Sequence, residues 1–174
     1  MIRKIMTAGL LLAAVALAGC TDPARFGGDG AGAGTVPAPG AGTFVPGSAS
    51  DPTSAAFFQQ SVGDRVLFAV DQANLTTEGR ATLDAQAAWL LTNSDYQAVI
   101  EGHADEQGTR EYNLALGARR ANAAQEYLIS RGVPASRLRV VSYGKERPIE
   151  ICSNEACYAK NRRAVTVLAG GLTS

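Results

Sequence analysis

The sequence predicts an α+β domain, an α/β sandwich in which a four-stranded mixed sheet is packed by two main helices. Two observations lead to this prediction. Short apolar runs typical of buried strands alternate with longer segments of helical periodicity. The chain of 174 residues is long enough for one globular domain with tails, and too short for two domains of ordinary size.

The predicted elements follow one another in the order β-α-β-α-β-(α)-β. The four predicted strands are the segments 65–70, 97–103, 138–143 and 164–168. The first helix begins at Thr76 or Thr77, either of which can cap it, and ends at Asn93. Its apolar face is expected to consist of Leu83, Ala87, Leu90 and Leu91.

The second helix is the longest, with about six turns between Gly108 and Gly132. Its apolar side is expected to carry Tyr112, Leu116, Ala123, Ala124, Tyr127 and Leu128. This helix should join the second and third strands as a right-handed parallel crossover. A short helical turn over 158–161 leads into the fourth strand, which should therefore be antiparallel and make the sheet mixed.

The first nineteen residues have the features of an export signal. Arg3 and Lys4 precede an apolar run over 5–18, which is shorter than the about 20 residues that a bilayer-spanning helix needs. Small residues then lead to Cys20. We expect residues 1–19 to be a signal peptide removed on export. Cys20 is either a modified cysteine at the new N-terminus or an unmodified one beside an ordinary cleavage site.

Residues 20–54 are expected to be a flexible tether, and residues 55–174 the folded domain. The segment from Thr21 to Ser50 consists mostly of Gly, Ala, Pro, Ser and Thr and has neither helical nor strand periodicity. Its four alternating glycines, from Gly28 to Gly34, do not indicate a phosphate-binding loop, because no strand precedes them and no helix follows.

The charge balance argues against a nucleic-acid binder. The chain has 16 cationic and 16 acidic residues, and removal of residues 1–19 takes away Arg3 and Lys4, so the mature charge is 14 − 16 = −2. Binding to phosphates independently of sequence needs a surplus of cations.

Cys152 and Cys157 remain as an even pair in a chain that is exported to an oxidising space. A disulfide between them is one interpretation. Half of a zinc site is the other, although no second Cys/His pair accompanies them.

Three polar residues around the start of the long helix are candidates for a binding site. Asp105 lies in the loop before the helix, while Asn113 and Arg120 are seven residues apart and therefore only about 20° from one another around its axis. We expect Asp105 and Arg120 at the surface, where a shallow groove with both charges suits a zwitterion. Alternatively, Asp105 complements the helix N-terminus and Arg120 is an ordinary solvated residue.

Gly117 shares the face of Asn113 and Arg120, in the middle of a helix where glycine is unfavourable. Either a ligand or a neighbouring element should approach the backbone closely there. His103, Asp105 and Glu106 also allow a metal-assisted hydrolase as an alternative function. Against it, the chain has one histidine and neither H-E-x-x-H nor G-x-S-x-G. We expect His103 to be a polar residue satisfied by neighbouring backbone.

Several motifs resemble those of the OmpA-like domain family of envelope proteins, in particular its peptidoglycan-associated lipoproteins. They are L-A-G-C ending at Cys20, G-H-A-D-E-Q-G-T, L-G-A-R-R-A-N, V-S-Y-G-K-E-R-P and A-K-N-R-R-A-V. Apart from the first, which resembles the bacterial lipobox, they lie in order within about 66–168. The resemblance implies that Cys20 carries acyl chains. Thr21, where enteric bacteria use Asp for inner-membrane retention, implies a lipid anchor in the outer membrane facing the periplasm.

The resemblance also implies a function without catalysis and without a cofactor. Asp105 and Arg120 would hold the diaminopimelate side chain of the peptidoglycan stem peptide, Asn113 would line the groove, and further rim positions would be Asp71, Asn161 and Arg162. The implied partners are peptidoglycan, TolB and the other components of the Tol-Pal system, which acts in envelope integrity and cell division. A periplasmic protein adaptor without affinity for the wall is a further alternative.

Overall fold

The computed structural model of the chain describes residues 45–151 and 153–170. The predicted signal peptide, the lipidation site Cys20, most of the predicted tether and Cys152 lie outside the described residues. The four strands are β1 (Arg65–Leu67), β2 (Tyr96–His103), β3 (Leu138–Gly144) and β4 (Arg163–Gly170).

The four strands form one mixed sheet in the order β1-β4-β2-β3. β2 and β3 are parallel, whereas β4 is antiparallel to both β1 and β2. The predicted parallel pair and the antiparallel fourth strand are therefore confirmed. The insertion of β4 between the first two strands was not predicted from the sequence.

Four α-helices accompany the sheet in the described ranges: α1 (Ala55–Phe57), α2 (Thr77–Thr92), α3 (Arg110–Ser130) and α4 (Glu155–Asn161). A π-helix over Phe58–Gly63 continues α1, and a 3₁₀ turn over Ala135–Arg137 precedes β3. The side chains of Thr76, Thr109 and Asn154 cap α2, α3 and α4. Within these ranges, no helix is both long and apolar enough to cross a bilayer.

The hydrophobic core lies between the sheet and the two long helices, because α3 packs on β2 and β3 while α2 packs on β1 and α3. Most of the predicted helix faces are buried in it, among them Leu83, Ala87, Leu90, Leu116, Ala124 and Leu128. Leu91 and Tyr112 are exceptions, with 49% and 44% of their surface exposed. Tyr112 is turned to a surface cleft and not to the core.

The first strand is shorter than predicted. After β1, the amide of Phe68 still donates to the Arg162 carbonyl at 3.0 Å, but the chain then leaves the sheet and Val70 is exposed. The carbonyl of Ala69 is turned inward to a buried guanidinium, that of Arg120. The apolar run continues to Val70, but the strand ends earlier because the Ala69 carbonyl binds Arg120, a residue far away in the sequence.

The last residues before 55 pack against the domain instead of behaving as a free tether. The Trp89 indole donates to the Pro52 carbonyl at 2.8 Å, and the Tyr96 hydroxyl donates to the Thr53 carbonyl at 3.0 Å. Ser54 caps α1 by accepting from the Phe57 amide. The buried indole N–H of Trp89 needs an acceptor, and this backbone provides it.

Gly102 of β2 and Gly117 of α3 let the long helix approach the sheet very closely. A Cβ at Gly102 would overlap the backbone oxygen of Gly117, and a Cβ at Gly117 would lie 2.8 Å from the Gly102 oxygen. Of the two explanations for Gly117, the structure shows the neighbouring element. This close contact fixes the position of the N-terminal turns of α3 relative to the end of β2.

Candidate functional site: a cleft between the β1 turn and the start of α3

A cleft of about 250 Å³ opens at the carboxyl end of β2, between the turn that follows β1 and the loop that leads into α3. Its lining combines acidic, amide and apolar side chains: Val70, Asp71, Asp105, Gln107, Gly108, Tyr112, Asn113 and Leu116. Three of the residues predicted to bind a ligand thus line the same cleft, namely Asp71, Asp105 and Asn113.

Asp71 stands at the mouth of the cleft in a left-handed backbone conformation, with φ of 57°. Aspartate tolerates this conformation better than most residues, and here it lets the chain reverse direction after β1. The Tyr112 hydroxyl donates to Asp71 Oδ1, and this hydrogen bond raises the pKa of Tyr112. The turn after β1 and the first turn of α3 are therefore linked across the mouth.

Asp105 is nearly buried, with 8% of its surface exposed. Its Oδ1 accepts from the Gln107 amide at 3.2 Å, and its Oδ2 accepts from Arg162 Nη1 at 3.1 Å. The carboxylate is thus held by its own loop on one side and by the residue before β4 on the other. The expectation that it lies openly at the surface is wrong, although it does line the cleft.

Asn113 lies in the first turn of α3 and is almost completely buried. Its Nδ2 donates to the Gln107 carbonyl at 2.7 Å. This bond ties the loop over Asp105 to the helix, so Asn113 shapes the cleft as well as lining it.

Arg120 is fully buried, which contradicts the expectation of a surface residue. Its Nε donates to the Gln72 carbonyl at 2.8 Å, Nη1 to the His103 carbonyl at 2.9 Å and Nη2 to the Ala69 carbonyl at 3.2 Å. The guanidinium can be buried because these three carbonyl oxygens replace the water molecules that would otherwise accept its hydrogen bonds. None of these bonds goes to Asp105.

The charge of Arg120 stands directly behind the cleft. The carbonyls that it binds belong to Ala69 and Gln72, which bracket cleft residues Val70 and Asp71, and to His103. Burial lowers the pKa of Arg120 to about 10, against the attraction of Asp105, so the group is protonated at neutral pH. Three of its five N–H groups are engaged by these bonds, which leaves two for a further acceptor.

Asn161 and Arg162 are buried, so their prediction as rim residues is wrong. Asn161 Oδ1 accepts from two backbone amides of the loop before α4, and its Nδ2 donates to the Glu150 carbonyl and to Glu106 Oε1. Its hydrogen-bonding capacity is filled within the protein. Arg162 reaches Asp105 from below the cleft. Asn161 and Arg162 both lie at the end of α4, where the chain is buried.

Glu155 takes part in this network and was not identified from the sequence. Both of its carboxylate oxygens accept from the Arg162 guanidinium. An acidic residue at the start of a short helix usually indicates no more than a favourable helix terminus. The spacing of seven residues to Arg162 was the only available signal, and it is not specific.

His103 lies apart from any metal-binding arrangement. Its ring is 2% exposed and tilted against Tyr143, with centroids 5.6 Å apart, and neither ring nitrogen has a hydrogen-bond partner among the described residues. The expected backbone contact is therefore absent. Burial, reinforced by Arg163 and Arg147, lowers the pKa of His103 to about 4. The described ranges contain no group of three His, Cys, Asp or Glu side chains that could hold a metal ion.

Cys157 lies in α4, is buried and is disulfide-bonded. Its predicted partner, Cys152, lies outside the described residues, so their pairing stays a prediction.

A larger depression of about 680 Å³ lies at the other end of β2, between residues 47–56 and 92–96. One of its two acidic residues, Asp51, is already satisfied by the Gly47 amide and by the amide and hydroxyl of Thr53, bonds that lower the pKa of Asp51. The smaller cleft is the better candidate, because two carboxylates line it and the buried charge of Arg120 lies behind it.

Comparison with known proteins identifies the family. The OmpA family model matches residues 67–162, which is more than half of the chain. Every residue that lines the cleft lies within that range. The chain belongs to the OmpA family. The resemblance inferred from the motifs is confirmed.

The similar proteins within this family include peptidoglycan-associated lipoproteins. The one from Rhizobium meliloti is 51% identical over 160 residues, covering 92% of this chain and 85% of that protein. The one from Mesorhizobium japonicum is 52% identical over 131 residues, covering 75% of this chain and 74% of that protein.

Solved structures confirm the α+β fold. The crystal structure of the peptidoglycan-associated lipoprotein from Burkholderia pseudomallei is 36% identical with a TM-score of 0.63, and covers 68% of this chain and 100% of that chain. The C-terminal domain of Helicobacter pylori MotB is 20% identical with a TM-score of 0.57, covering 61% of this chain and 84% of that chain, a likeness in fold alone.

Proposed function

We propose that this protein is an outer-membrane lipoprotein that binds the stem peptide of peptidoglycan non-covalently and so tethers the membrane to the cell wall. The observation that carries the proposal is the cleft, where Asp71, Asp105 and Asn113 lie in front of the buried charge of Arg120. The name of the relatives that are 51% and 52% identical, peptidoglycan-associated lipoprotein, supports it.

The ligand chemistry follows from the charges around the cleft. The free end of a diaminopimelate side chain carries an ammonium and a carboxylate. Asp71 and Asp105 offer carboxylate oxygens to the ammonium on the cleft wall. The buried positive charge of Arg120, which lies behind the cleft and has two N–H groups that the backbone does not engage, favours the ligand carboxylate. Such binding requires neither a nucleophile nor a metal, and we propose no enzymatic activity.

The wider setting is proposed from the resemblance of the motifs. Cys20 would carry the acyl chains, and residues after it would connect them to the domain on the periplasmic side of the outer membrane. TolB and the other components of the Tol-Pal system would be the protein partners, in envelope integrity and cell division. The mature charge of −2 fits a partner other than nucleic acid.

Co-sedimentation with purified cell-wall sacculi tests the proposal. The full chain should sediment with sacculi whose stem peptides contain diaminopimelate, and much less with sacculi that contain lysine, which lacks the terminal carboxylate. Asp105→Asn should weaken the interaction, whereas Arg119→Ala on the exposed side of α3 should not. Equal sedimentation with both kinds of sacculi would refute recognition of the zwitterionic end.

The same preparation distinguishes the two alternative functions. Muropeptides released from the sacculi, and no longer released after addition of a chelator or by the His103→Ala chain, would identify a hydrolase. Retention of TolB-type proteins by an immobilised chain that does not sediment with sacculi would identify an adaptor without wall affinity.

A further inference from the structure

Arg162 lies between two carboxylates of different character. Its Nη1 donates to Asp105 Oδ2 at 3.1 Å, inside the protein beside the cleft. Its Nη1 and Nη2 also meet the two oxygens of Glu155, whose side chain is 64% exposed and does not line the cleft. Its Nε donates to the Phe68 carbonyl at 3.2 Å, which fixes the plane of the guanidinium.

The geometry divides the charge of Arg162 unequally. Glu155 faces both terminal nitrogens with both oxygens, which is the bidentate arrangement that makes arginine–carboxylate pairs strong. Asp105 receives a single end-on bond from Nη1, and its other oxygen accepts only from the Gln107 amide. Glu155 therefore takes up part of the arginine charge, and Asp105 keeps more negative charge for the cleft than it would as the only partner of Arg162.

We propose that Glu155 is a positioning residue for the ligand ammonium: by engaging Arg162, it prevents that guanidinium from pairing fully with Asp105. This inference rests on the proposed function, because it concerns the cationic half of the same zwitterionic ligand. Without the Glu155 charge, Asp105 is the carboxylate that remains paired with Arg162, and the charge of the guanidinium then acts on Asp105 alone. The ammonium then loses its acceptor although no residue of the cleft wall has changed.

The test compares Glu155→Gln with the unchanged chain in binding to two soluble stem peptides by calorimetry. One peptide carries diaminopimelate, and the other carries 2-aminopimelate, which keeps the terminal carboxylate and lacks the ammonium. Glu155→Gln should weaken binding of the diaminopimelate peptide about tenfold, and leave binding of the aminopimelate peptide unchanged. A matched control is Glu126→Gln, which removes the same charge from an exposed position on α3, about 20 Å along the helix from Asn113.

Each outcome decides between a positioning role, a structural role and failure of the proposed function. Unweakened binding of the diaminopimelate peptide by Glu155→Gln would overturn the positioning role. Equal weakening for both peptides would also overturn it, because a general distortion of the cleft does not distinguish an ammonium. If the unchanged chain binds neither the peptides nor sacculi, the proposed function itself fails, and the positioning role fails with it.

Discussion

Acidification should destabilise this protein through His103, the one histidine of the chain. The ring is buried, and its nitrogens have no hydrogen-bond partners among the described residues. The positive charges of Arg163 and Arg147 oppose protonation of the imidazole. Glu101 Oε2 lies 3.7 Å from Nε2 of the ring. Burial dominates and lowers the pKa from 6.5 to about 4.

The sign and size of the effect follow from linkage. Between pH 6.5 and about 4, the unfolded chain binds a proton at this residue that the folded chain does not, so stability is full above pH 6.5 and falls as the pH falls. The loss is about 2 kcal/mol between about pH 7 and about pH 5, and about 3 kcal/mol once the pH is below the folded-state value.

Urea unfolding at the two pH values measures this loss in an untagged chain. His103→Phe is the matched variant, because it keeps an aromatic ring against Tyr143 and cannot titrate. The unchanged chain should lose about 2 kcal/mol more than the variant on acidification. Proton NMR of the single imidazole measures its pKa directly. A pKa at or above 6.5, or parallel losses in both chains, would refute the argument.

Three further predictions concern packing around the cleft and the core. Arg120→Lys should lower the free energy of unfolding by about 3 kcal/mol, because one ammonium cannot replace three carbonyl contacts, whereas Arg119→Lys should have little effect; equal urea midpoints would contradict this. Gly117→Ala should destabilise by about 2 kcal/mol, and a more stable variant would disprove the close approach to β2. Trp89→Phe should cost about 1 kcal/mol through the lost bond to Pro52, and unchanged protection of residues 47–54 from proteolysis would contradict that role.

Local sequence signals are sufficient for most of the elements. Thr76 and Thr109 cap α2 and α3, as threonine before a helical pattern indicates, and the helices end next to Asn93 and Gly132. The sheet is mixed because a long helix separates β2 from β3 while a short connection precedes β4. These features depend on neighbours in the chain, and their physics is therefore visible in the sequence.

The sequence also indicated Asp105 and Asn113 through their spacing at the start of α3, and Asp71 through the family resemblance, and all three line one cleft. The sequence did not indicate how far each of these side chains is buried from solvent. Arg120 and Arg162 are buried because carbonyls and carboxylates from distant segments replace their hydration, and helical phase contains no information about such partners.

The sequence by itself determined the order of elements, the family and the group of residues around the cleft. Only the tertiary structure decided that Asp105 pairs with Arg162 and not with Arg120, and that Glu155 shares the same guanidinium. The physical reason is that the pairing of Asp105 with Arg162 depends on a distance of a few ångströms between residues that are 57 positions apart in the sequence. Those distances are set when α3 packs against the sheet and the residues at the end of α4 are buried beside it, and not by the spacing of residues along the chain.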